Sequence, residues 1–575
     1  SSALAVTDQM LDTPTNNFNV NSPLDEDYAS NRAFSEGNLQ VDSLTTNHGS
    51  ARGTIGMSSG KWYMEWCNPT LTDGNKALWC GVCANDTDLT VFRGVNIFNQ
   101  SASNGRAIVR DDAVTNFAEA AVWAAGTVLS AAIDMDNRKI WLGINNTYYG
   151  SGENTNGNPA GAANPTHTLA SDQTPDGNLF SFTGGYDLEI VSNYGQDSSF
   201  AGTKTAQGHS DGNGVGDFFY APPAGFLALC TKNLPEPTVI PSENFNTVLY
   251  TGDASDDRDI QVGFRPGWSW FKARNATTNH TLWDIMRGGT KYLNTNTTND
   301  EATDTDGVDT GKTNAQIGGG GGFRLLGDAA QTNGNNVTFA SWHWHASSGG
   351  GVNNTDGSVT SSINVNLDNG FSIVTYTATA NTHTFGHGLS KTPEFIYHRM
   401  RDVDGGGNVF VAPLGSGKAL RMDEASGAGS DSGYWPIVNS TLVKPGGAVS
   451  GAIETLYIAY CFHSVDGYSK IGEYTGNGNA DGTFVYTGFR PAWLIVKRTD
   501  ANKQWKINDN KRIGFNPNHS ELYADSAEVE QALTHFDFLS NGFKLRTTAS
   551  TANTANANYI YMAFAETPFK HSNAR

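Results

Sequence analysis

The feature that most constrains the fold of this chain is an internal repeat in its C-terminal half. A Tyr-Thr-Gly motif at residues 250–252 is followed by a Gly-Phe-Arg-Pro motif at residues 263–266, and the same pair recurs at 474–476 and 488–491. A degenerate middle copy has Tyr-Thr at residues 376–377 but lacks the Phe-Arg-Pro core. A sequence that repeats in this way predicts one folded unit built three times.

Each copy of the repeat ends in a segment whose apolar residues alternate, as they do in a half-buried strand. These segments cover residues 339–346, 456–462 and 559–565, and the outer two are preceded by Gly-Phe-Arg-Leu at 322–325 and Gly-Phe-Lys-Leu at 542–545. In the Gly-Phe-x-Pro motif the proline is expected at the start of a strand, where it removes no hydrogen bond of the ladder. The unit is roughly 90 residues long, enough for a small β core of its own.

The composition of the chain favours many short strands joined by tight turns. Its 575 residues are 38% hydrophobic and only 16% charged, and they include 65 glycines without a Gly-X-Y period. No long stretch has a clean helical period, and the best helical candidate is the short segment 526–538. Because a chain of this length exceeds what one core can hold, we expect an all-β protein with several self-contained cores.

Strand patterns also run through the N-terminal half of the chain. Residues 61–66 and 187–194 have strand-like alternation, and residues 128–135 and 138–143 have it on either side of an Asp136-Asn137 turn. Two alternating segments joined by a short polar turn predict a β-hairpin.

Three motifs in this half resemble the SPRY family. Residues 60–65 (Gly-Lys-Trp-Tyr-Met-Glu) resemble an early SPRY strand, and residues 134–145 look like the family's D-x-D-x-x-x-I-x-x-x-x-N hairpin. Residues 193–196 (Asn-Tyr-Gly-Gln) with Phe200 resemble its N-F-G-Q-x-x-F stretch. The motifs occur in the family's order over about residues 50–230. The resemblance implies a concanavalin-like sandwich of two antiparallel sheets that binds partners through loops at one end and is not catalytic.

Two further segments resemble proteins of bacteriophages. Residues 222–235 are similar to the exit segment of SPRY-bearing proteins of marine bacteriophages. The repeat resembles one of uncharacterised function in phage tail and virion proteins, where it often follows a SPRY domain, and residues 561–569 are typical of that family's end. The middle copy departs from the pattern, so a ligand site common to all three copies is not assigned to it.

These patterns together predict the domain organisation. Linkers are expected near residues 232–244 and 347–370, where the composition is dominated by turn and linker residues, and residues 318–322 are expected to form a flexible loop tip. The predicted units are an N-terminal segment (1–49), a SPRY-like β-sandwich (50–231) and three smaller β-sandwich-like repeats (244–347, 371–464 and 467–570).

The charge of the chain argues against nucleic acid and anionic membranes as partners. The formal net charge is −20 and no segment is rich in Lys and Arg, whereas nucleic-acid binding needs a positive stripe that neutralises phosphates. No stretch approaches the ~18 consecutive apolar residues of a membrane-spanning helix. Residues 1–6 lack the basic and apolar regions of a secretory signal, so either a signal was removed earlier or the protein is assembled in the cytoplasm. The unpaired cysteines favour assembly in the cytoplasm.

The cysteines do not form the framework of a disulfide-rich secreted module, because their number is odd and they are scattered. They are Cys67, Cys80, Cys83, Cys230 and Cys461. Cys80 and Cys83 have the spacing of a redox or zinc-knuckle motif, but no second pair accompanies them. Buried cysteines on strands are the preferred interpretation.

Residues 342–345 (Trp-His-Trp-His) are the strongest candidate for a metal site. On a strand, His343 and His345 would lie on one face about 7 Å apart, and Trp342 and Trp344 on the other. No third ligand can be named, and the equivalent segments of the other copies have no histidine pair. A solvated or cross-strand-packed histidine pair is therefore preferred over coordination.

Two loops superficially resemble ligand sites. Asp304, Asp306 and Asp309 have the spacing of calcium ligands, but an EF-hand would also need a Glu where Ala315 stands; a solvated turn is preferred and a calcium ion is left open. Residues 415–418 (Gly-Ser-Gly-Lys) fail the phosphate-loop pattern and predict a tight turn. No catalytic residue, cofactor or metal site is therefore predicted.

The sequence as a whole predicts a bacteriophage virion protein without enzymatic activity, such as a tail fibre, appendage or surface decoration. Its expected partners are other copies of itself and neighbouring virion proteins, with a host-surface glycan or protein receptor as a further candidate. An extracellular carbohydrate-binding adhesin or filament subunit of a bacterium is the alternative, because exposed tryptophans in such sandwiches often bind glycans. A polysaccharide depolymerase on the same scaffold is the third.

Overall fold

The computed structural model divides the chain into two compact units, residues 1–236 (unit 1) and 237–575 (unit 2). Their boundary lies inside the segment predicted as a linker over residues 232–244. Nearly all described secondary structure is β-strand, so the predicted all-β class is confirmed. The structure describes residues 16–24, 32–43, 49–69, 77–84, 94–100, 106–110, 113–116, 125–151, 155–170, 173–174, 177–317, 319–347, 349–431, 433–447 and 453–571.

Unit 1 consists of two sheets in which nearly all paired strands are antiparallel. The first has the strand order β1-β2-β14-β4-β9-β10-β11, with β12 and β15 beside it, and the second has the order β3-β13-β5-β6-β7-β8. The described strands are β1 (Arg32–Ser35), β2 (Gln40–Ser43), β3 (Gly49–Arg52), β4 (Lys61–Cys67), β5 (Ala77–Ala84), β6 (Gly94–Gln100), β7 (Arg106–Arg110), β8 (Ala113–Asn116), β9 (Val128–Asp134), β10 (Lys139–Ile144), β11 (Thr147–Tyr149), β12 (His167–Thr168), β13 (Leu179–Tyr186), β14 (Leu188–Asn193) and β15 (Leu227–Ala228).

The strands predicted in unit 1 are confirmed, including the hairpin. β9 and β10 pair antiparallel, with Asp134 opposite Lys139, and Asp134 accepts a hydrogen bond of 2.9 Å from the backbone N–H of Asn137 in the turn. The N-terminal segment differs from expectation. β1 and β2 lie within it and extend the first sheet: β2 pairs with β14 and β1 pairs with β2, because their alternating buried residues, such as Val41, cover the edge of the sandwich core.

A buried tryptophan joins the two sheets of unit 1, and a buried carboxylate joins the first sheet to a loop segment. Trp66 of the first sheet donates a hydrogen bond of 2.9 Å to Thr183 of the second. Glu65 lies next to it on β4 and is fully buried. Its two oxygens accept hydrogen bonds from four donors: Tyr63 Oη (2.8 Å), Asn193 Nδ2 (3.1 Å) and the backbone N–H groups of Phe219 and Tyr220 (2.8 Å each). Glu65 therefore fastens the segment around residues 217–220 to the first sheet.

Burial raises the pKa of Glu65 from 4.5 to about 7, against the opposing effect of its hydrogen bonds. Between these two values the folded protein binds more protons than the unfolded chain, so the stability of unit 1 should fall as the pH rises through this window and level off above it. The shift corresponds to about 3 kcal/mol. We expect this dependence in denaturant unfolding from pH 4.5 to 8, and its loss in Glu65→Gln; an unchanged slope in the variant would assign it to another group.

The described strands of unit 2 form three sheet pairs that we name module 1 (residues 245–344), module 2 (352–462) and module 3 (469–568). Module 1 contains β16 (Phe245–Thr251), β17 (Arg258–Gln261), β18 (Trp268–Ala273), β19 (Thr281–Asp284), β20 (Lys291–Asn294), β21 (Ala302–Thr303), β22 (Val308–Lys312), helix α1 (Asn314–Ile317), β23 (Gly322–Leu325) and β24 (Thr338–Trp344). Module 2 contains β25 (Val352–Asn354), β26 (Ser361–Asn366), β27 (Phe371–Thr377), β28 (Phe385–Gly386), β29 (Phe395–Met400), β30 (Asn408–Val411), β31 (Lys418–Arg421), β32 (Gly429–Ser430), β33 (Ile437–Val438), β34 (Leu442–Lys444) and β35 (Leu456–Phe462). Module 3 contains β36 (Ser469–Thr475), β37 (Phe484–Tyr486), β38 (Phe489–Arg498), β39 (Lys506–Asp509), β40 (Leu522–Tyr523), β41 (Phe536–Leu539), β42 (Gly542–Leu545) and β43 (Asn558–Pro568).

The three modules share one topology. In each large sheet the last strand of the module, its closing strand, lies between the strand that carries the Tyr-Thr motif and a third strand, giving β16-β24-β18-β19, β27-β35-β29-β30 and β36-β43-β38-β39. A three-stranded sheet covers one face of each large sheet: β17-β23-β22, β28-β34-β33 and β37-β42-β41. The tyrosine of each Tyr-Thr motif stacks on the ring at the start of the closing strand: Tyr250 on Phe339 (5.1 Å), Tyr376 on Tyr457 (5.0 Å) and Tyr474 on Tyr559 (4.9 Å).

The other faces of the three large sheets pack against one another in a shared core. Its centre consists of one aromatic ring from each closing strand, Trp344, Phe462 and Phe564, whose centroids lie 5.6 to 6.5 Å apart. All three side chains are buried. This arrangement differs from the expectation of self-contained cores: each module has a small core of its own, but its other sheet face packs in a core that it shares with the neighbouring modules.

Buried cations join the modules in a closed circle. Near the end of β18, β29 and β38 lie Lys272, Arg399 and Lys497, each with no exposed surface. Each donates hydrogen bonds to backbone carbonyl oxygens of its neighbour: Lys272 to Ala527 (3.3 Å) in module 3, Lys497 to Ala425 (3.0 Å) in module 2, and Arg399 to Thr297 (2.8 Å) in module 1. Module 1 thus contacts module 3, module 3 contacts module 2, and module 2 contacts module 1.

A second set of contacts repeats at the same three junctions. Two residues beyond each buried cation, a carbonyl oxygen accepts a backbone hydrogen bond from the neighbouring module: Arg274 from Glu530 (2.8 Å), Arg401 from Glu301 (2.8 Å) and Thr499 from Ala428 (2.7 Å). At the first two junctions the same residues also form ion pairs, of 2.8 Å and 2.9 Å. Both backbone contacts recur at all three junctions, so the three modules use equivalent positions to join one another.

Three details of unit 2 correct the sequence predictions. Residues 347–370 were predicted to be a linker but contain β25 and β26, whose Ile363 packs in the core of module 2. Residues 526–538 form no helix, because their backbone pairs with neighbouring loops and enters β41. Pro491 lies inside β38 at a register shift rather than at the start of the strand, so the ladder there is already interrupted.

Candidate binding groove on module 2

A groove of about 430 Å³ lies on module 2, where β26 and β27 pair. It exists because module 2 has two additional strands. In modules 1 and 3 the equivalents of β27, which are β16 and β36, form the edge of the large sheet, whereas β27 is flanked by β26 and β25. The residues that line the groove are Asn353, Val359, Thr360, Ser361, Ser362, Thr375, Tyr376, Thr377, Thr379, Arg401 and Leu456.

Hydroxyl groups dominate this lining. Ser362 lies directly opposite Thr375 in the ladder, and Thr377 follows two residues later on the same face of β27. Within the described part of the chain, the side-chain hydroxyls of Thr360, Ser362, Thr377 and Thr379 form no hydrogen bond, while that of Thr375 has only a long contact of 3.5 Å. These hydroxyls are therefore free to bond to a ligand.

Arg401 lies at one side of the groove and supplies its positive charge. Its Nε and Nη2 donate to the two oxygens of Glu301 at 2.9 and 3.2 Å, and its Nη1 has no partner among the described residues. Glu301 also pairs with Lys291 (2.8 Å) and Arg287 (3.7 Å), and Arg287 pairs with Asp284. Three cations, those of Arg401, Lys291 and Arg287, thus pair with the carboxylates of Glu301 and Asp284. Burial alone would raise the pKa of Glu301, but Arg401 and the other cations lower it.

The floor of the groove offers no exposed aromatic face. Tyr376 is only 5% exposed because its ring stacks between Phe385 (4.7 Å) and Tyr457 (5.0 Å). Its hydroxyl bonds to Nε2 of His398 at 2.8 Å, and burial lowers the pKa of His398 to about 3. Every tryptophan of the described residues is also buried, which removes the exposed tryptophans that favoured glycan stacking.

The groove was missed by the sequence analysis, which assigned half of its lining to a linker. The signal that could have revealed it is the hydroxyl-rich run at residues 360–362, which faces Thr375 and Thr377 across the ladder. Arg401 and Glu301 could not have been paired from sequence, because 100 residues separate them.

The histidine pair is not assembled into a metal site. His343 is on β24, opposite in orientation to Trp342 and Trp344, and its two ring nitrogens bond to Ser269 and Ser341 at 2.9 Å each. Burial lowers its pKa to about 3. His345 lies beyond the end of the strand. Over the described ranges no three His, Cys, Asp or Glu side chains are spaced to hold a metal ion.

The two candidate loops are used as turns. Asp304 accepts a backbone hydrogen bond of 3.0 Å from Asp306, while Asp309 lies on β22 and pairs with Lys312, so their carboxylates serve different contacts. Gly415 has a φ of 74° and ends the short helical turn Ala412–Leu414, as a tight turn requires. Lys418 begins β31.

The five cysteines are buried and none of them forms a disulfide with another described residue. Cys67, Cys80, Cys83 and Cys461 lie on strands and Cys230 follows β15, which confirms the interpretation as buried cysteines. Burial raises the pKa of Cys67 to about 11, so this thiol stays protonated near neutral pH. No helix within the described residues is long and apolar enough to span a membrane.

Comparisons with known proteins identify one family. No curated protein matches the chain. Among solved structures, the SPRY domain of human HERC1 has 12% identity and a TM-score of 0.20, with 28% of this chain and 91% of that chain covered. The PSpry domain of TRIM65 has 11% identity and a TM-score of 0.21, with 31% and 92% covered. The model of a domain of unknown function, DUF7483, matches residues 240–568, which are more than half of the chain. The chain belongs to the DUF7483 family.

Proposed function

We propose that this chain is a structural and recognition protein of a bacteriophage virion, such as a tail fibre, an appendage or a surface decoration. The observation that supports this role most directly is the use of its buried charged groups. Lys272, Arg399 and Lys497 connect the modules, and Glu65 fastens a loop segment in unit 1. Lysine, arginine and glutamate side chains, which are residue types common in catalytic sites, therefore hold parts of this chain together.

A buried ion cluster in module 3 supports the same interpretation. The carboxylate of Glu521 accepts hydrogen bonds from Lys506 at 2.5 Å and from His535 at 2.7 Å. All three side chains are at least nine-tenths buried, and they link β39, β40 and the start of β41. The cluster holds strands together, and its burial separates it from solvent.

The closed circle of modules bears on the partners of the protein. The contacts that join one module to the next are all satisfied within one chain, so we propose that contacts with other copies and with neighbouring virion proteins use other surfaces. The net charge of −20 argues against binding to nucleic acid. A glycan or protein on the host surface remains the proposed target.

The test is quantitative mass spectrometry of particles purified from the virus that encodes the chain. We expect a fixed number of copies per particle, present in a constant ratio to the major capsid protein through successive purification steps. A chain that is absent from particles, or whose ratio falls with each step, would contradict the proposal.

The hydroxyl-lined groove favours one second candidate, a carbohydrate-binding adhesin on a bacterial surface. The groove by itself fits either location, because both roles require recognition of surface glycans. Fractionation separates them: an adhesin would be found with the cell envelope of uninfected bacteria, and a virion protein only in infected cells and free particles.

A further inference from the structure

We propose that the groove on module 2 binds a saccharide that carries a carboxylate group, with its hydroxyls bonded to Ser362, Thr375 and Thr377 and its carboxylate bonded to Arg401. This inference rests on the proposed role in surface recognition and names the class of ligand. The volume of about 430 Å³ is within the range of small-molecule sites.

The hydroxyl lining fits a sugar because a hydroxyl both donates and accepts hydrogen bonds. Ser362, Thr375 and Thr377 lie on one face of two paired strands, so their oxygens follow the strand spacing and can meet successive sugar hydroxyls. The strands are central in an eight-stranded sheet or next to its edge strand. A rigid backbone lowers the entropy cost of binding through such short side chains.

Arg401 decides between neutral and acidic sugars. Neutral sugars are usually held against an exposed aromatic face, and Tyr376 is buried beneath the floor. Nη1 of Arg401 is without a partner among the described residues, while its Nε and Nη2 are bonded to Glu301. A guanidinium that retains a free N–H pair is well suited to a carboxylate.

The other modules provide matched controls. Thr251 and Thr475 occupy the position of Thr377 in their Tyr-Thr motifs. All three threonines are exposed, and each is the last residue of an equivalent strand, β16, β36 and β27 respectively. Neither Thr251 nor Thr475 has a strand such as β26 beside it, because β16 and β36 are edge strands. A valine at any of these positions removes a hydroxyl and keeps the branched shape.

The experiment measures binding to the full chain by saturation-transfer NMR and calorimetry, with three probes: trigalacturonic acid, N-acetylneuraminic acid and neutral maltotriose. We expect at least one acidic probe to bind with a dissociation constant of the order of 1 mM or below, and maltotriose to bind at least about tenfold more weakly. The double variant Thr375→Val/Thr377→Val and the variant Arg401→Lys should each weaken the acidic probe about tenfold or more. Thr251→Val and Thr475→Val should leave it unchanged.

Three results would overturn the proposal: no binding of either acidic probe at about 10 mM, equal binding of maltotriose, or equal binding by the groove variants and the controls. Unchanged thermal unfolding of each variant verifies its fold. A failure here leaves the copy number in virions unaffected, so it is distinguishable from a failure of the proposed function.

Discussion

Replacing Trp344 by alanine should lower the free energy of unfolding of unit 2 by about 4 kcal/mol and loosen all three modules together. Trp344 packs at the centre of the shared core, 5.6 Å from Phe564 and 6.5 Å from Phe462, and stacks on Trp268 at 4.4 Å. Its indole N–H has no hydrogen-bond partner among the described residues, so the loss is one of packing. The cavity would open to the other two modules.

Hydrogen exchange followed by mass spectrometry on the full chain can detect this spread. We expect faster exchange in β24 and also in β35 and β43, which belong to the other modules. Phe515→Ala is the control, because its side chain is 65% exposed and its removal should change stability by less than about 0.5 kcal/mol. Faster exchange confined to module 1 would show that the modules unfold independently and would contradict a shared core.

The strands of unit 2 were predictable because aromatic residues alternate with small ones between glycine-rich turns. The shared core was not predicted, although its signal is present in the closing strands. Tyr457 and Ile458 are adjacent on β35 and both buried, and residues of alternate parity enter different clusters. Apolar residues on both faces of a strand indicate layers on both sides. What the pattern cannot give is the identity of the second layer, because that depends on packing between segments far apart in sequence.

The junctions between modules show the same limit in polar residues. Lys272 and Lys497 are equivalent members of the repeated motif, and a lysine at the end of an exposed strand is the ordinary expectation. Both are buried because carbonyl oxygens of their own module, together with one carbonyl oxygen of the next module, surround the ammonium group. A backbone carbonyl leaves no mark in the sequence of the partner. The circle of modules therefore becomes visible only in three dimensions.

Module 2 shows how a departure from the repeat can produce a new surface. It lacks the Phe-Arg-Pro core that modules 1 and 3 share, and it gains β25 and β26 from a segment whose Gly, Asn and Ser content predicts a linker. Strands with polar, hydroxyl-bearing residues on one face resemble loops in composition. For that reason the sequence located the repeat correctly and misassigned the segment that builds the groove.

Replacing Glu65 by alanine should destabilise unit 1 by about 4 kcal/mol. The substitution removes the acceptor of four donors, the buried side-chain groups of Tyr63 and Asn193 and the part-buried backbone N–H groups of Phe219 and Tyr220. Among the described residues no other carboxylate bonds to these donors. The Glu65 side chain has no exposed surface through which water could enter in its place. The segment around residues 217–220 should detach from the first sheet before the sandwich unfolds as a whole.

The matched control is Glu189→Ala, on the neighbouring strand β14, where the side chain is half-buried; we expect a change below about 1 kcal/mol there. The loss of stability in Glu65→Gln should lie between those of Glu65→Ala and Glu189→Ala. A terminal amide can accept hydrogen bonds from one pair of donors, but it presents its own N–H groups to the other pair. Calorimetry of the full chain would show the transition of unit 1 shifting to lower temperature, and hydrogen exchange would show the largest change at Phe219 and Tyr220. If these two amides stay protected in Glu65→Ala, the carboxylate does not hold this segment, and its burial would need a different explanation.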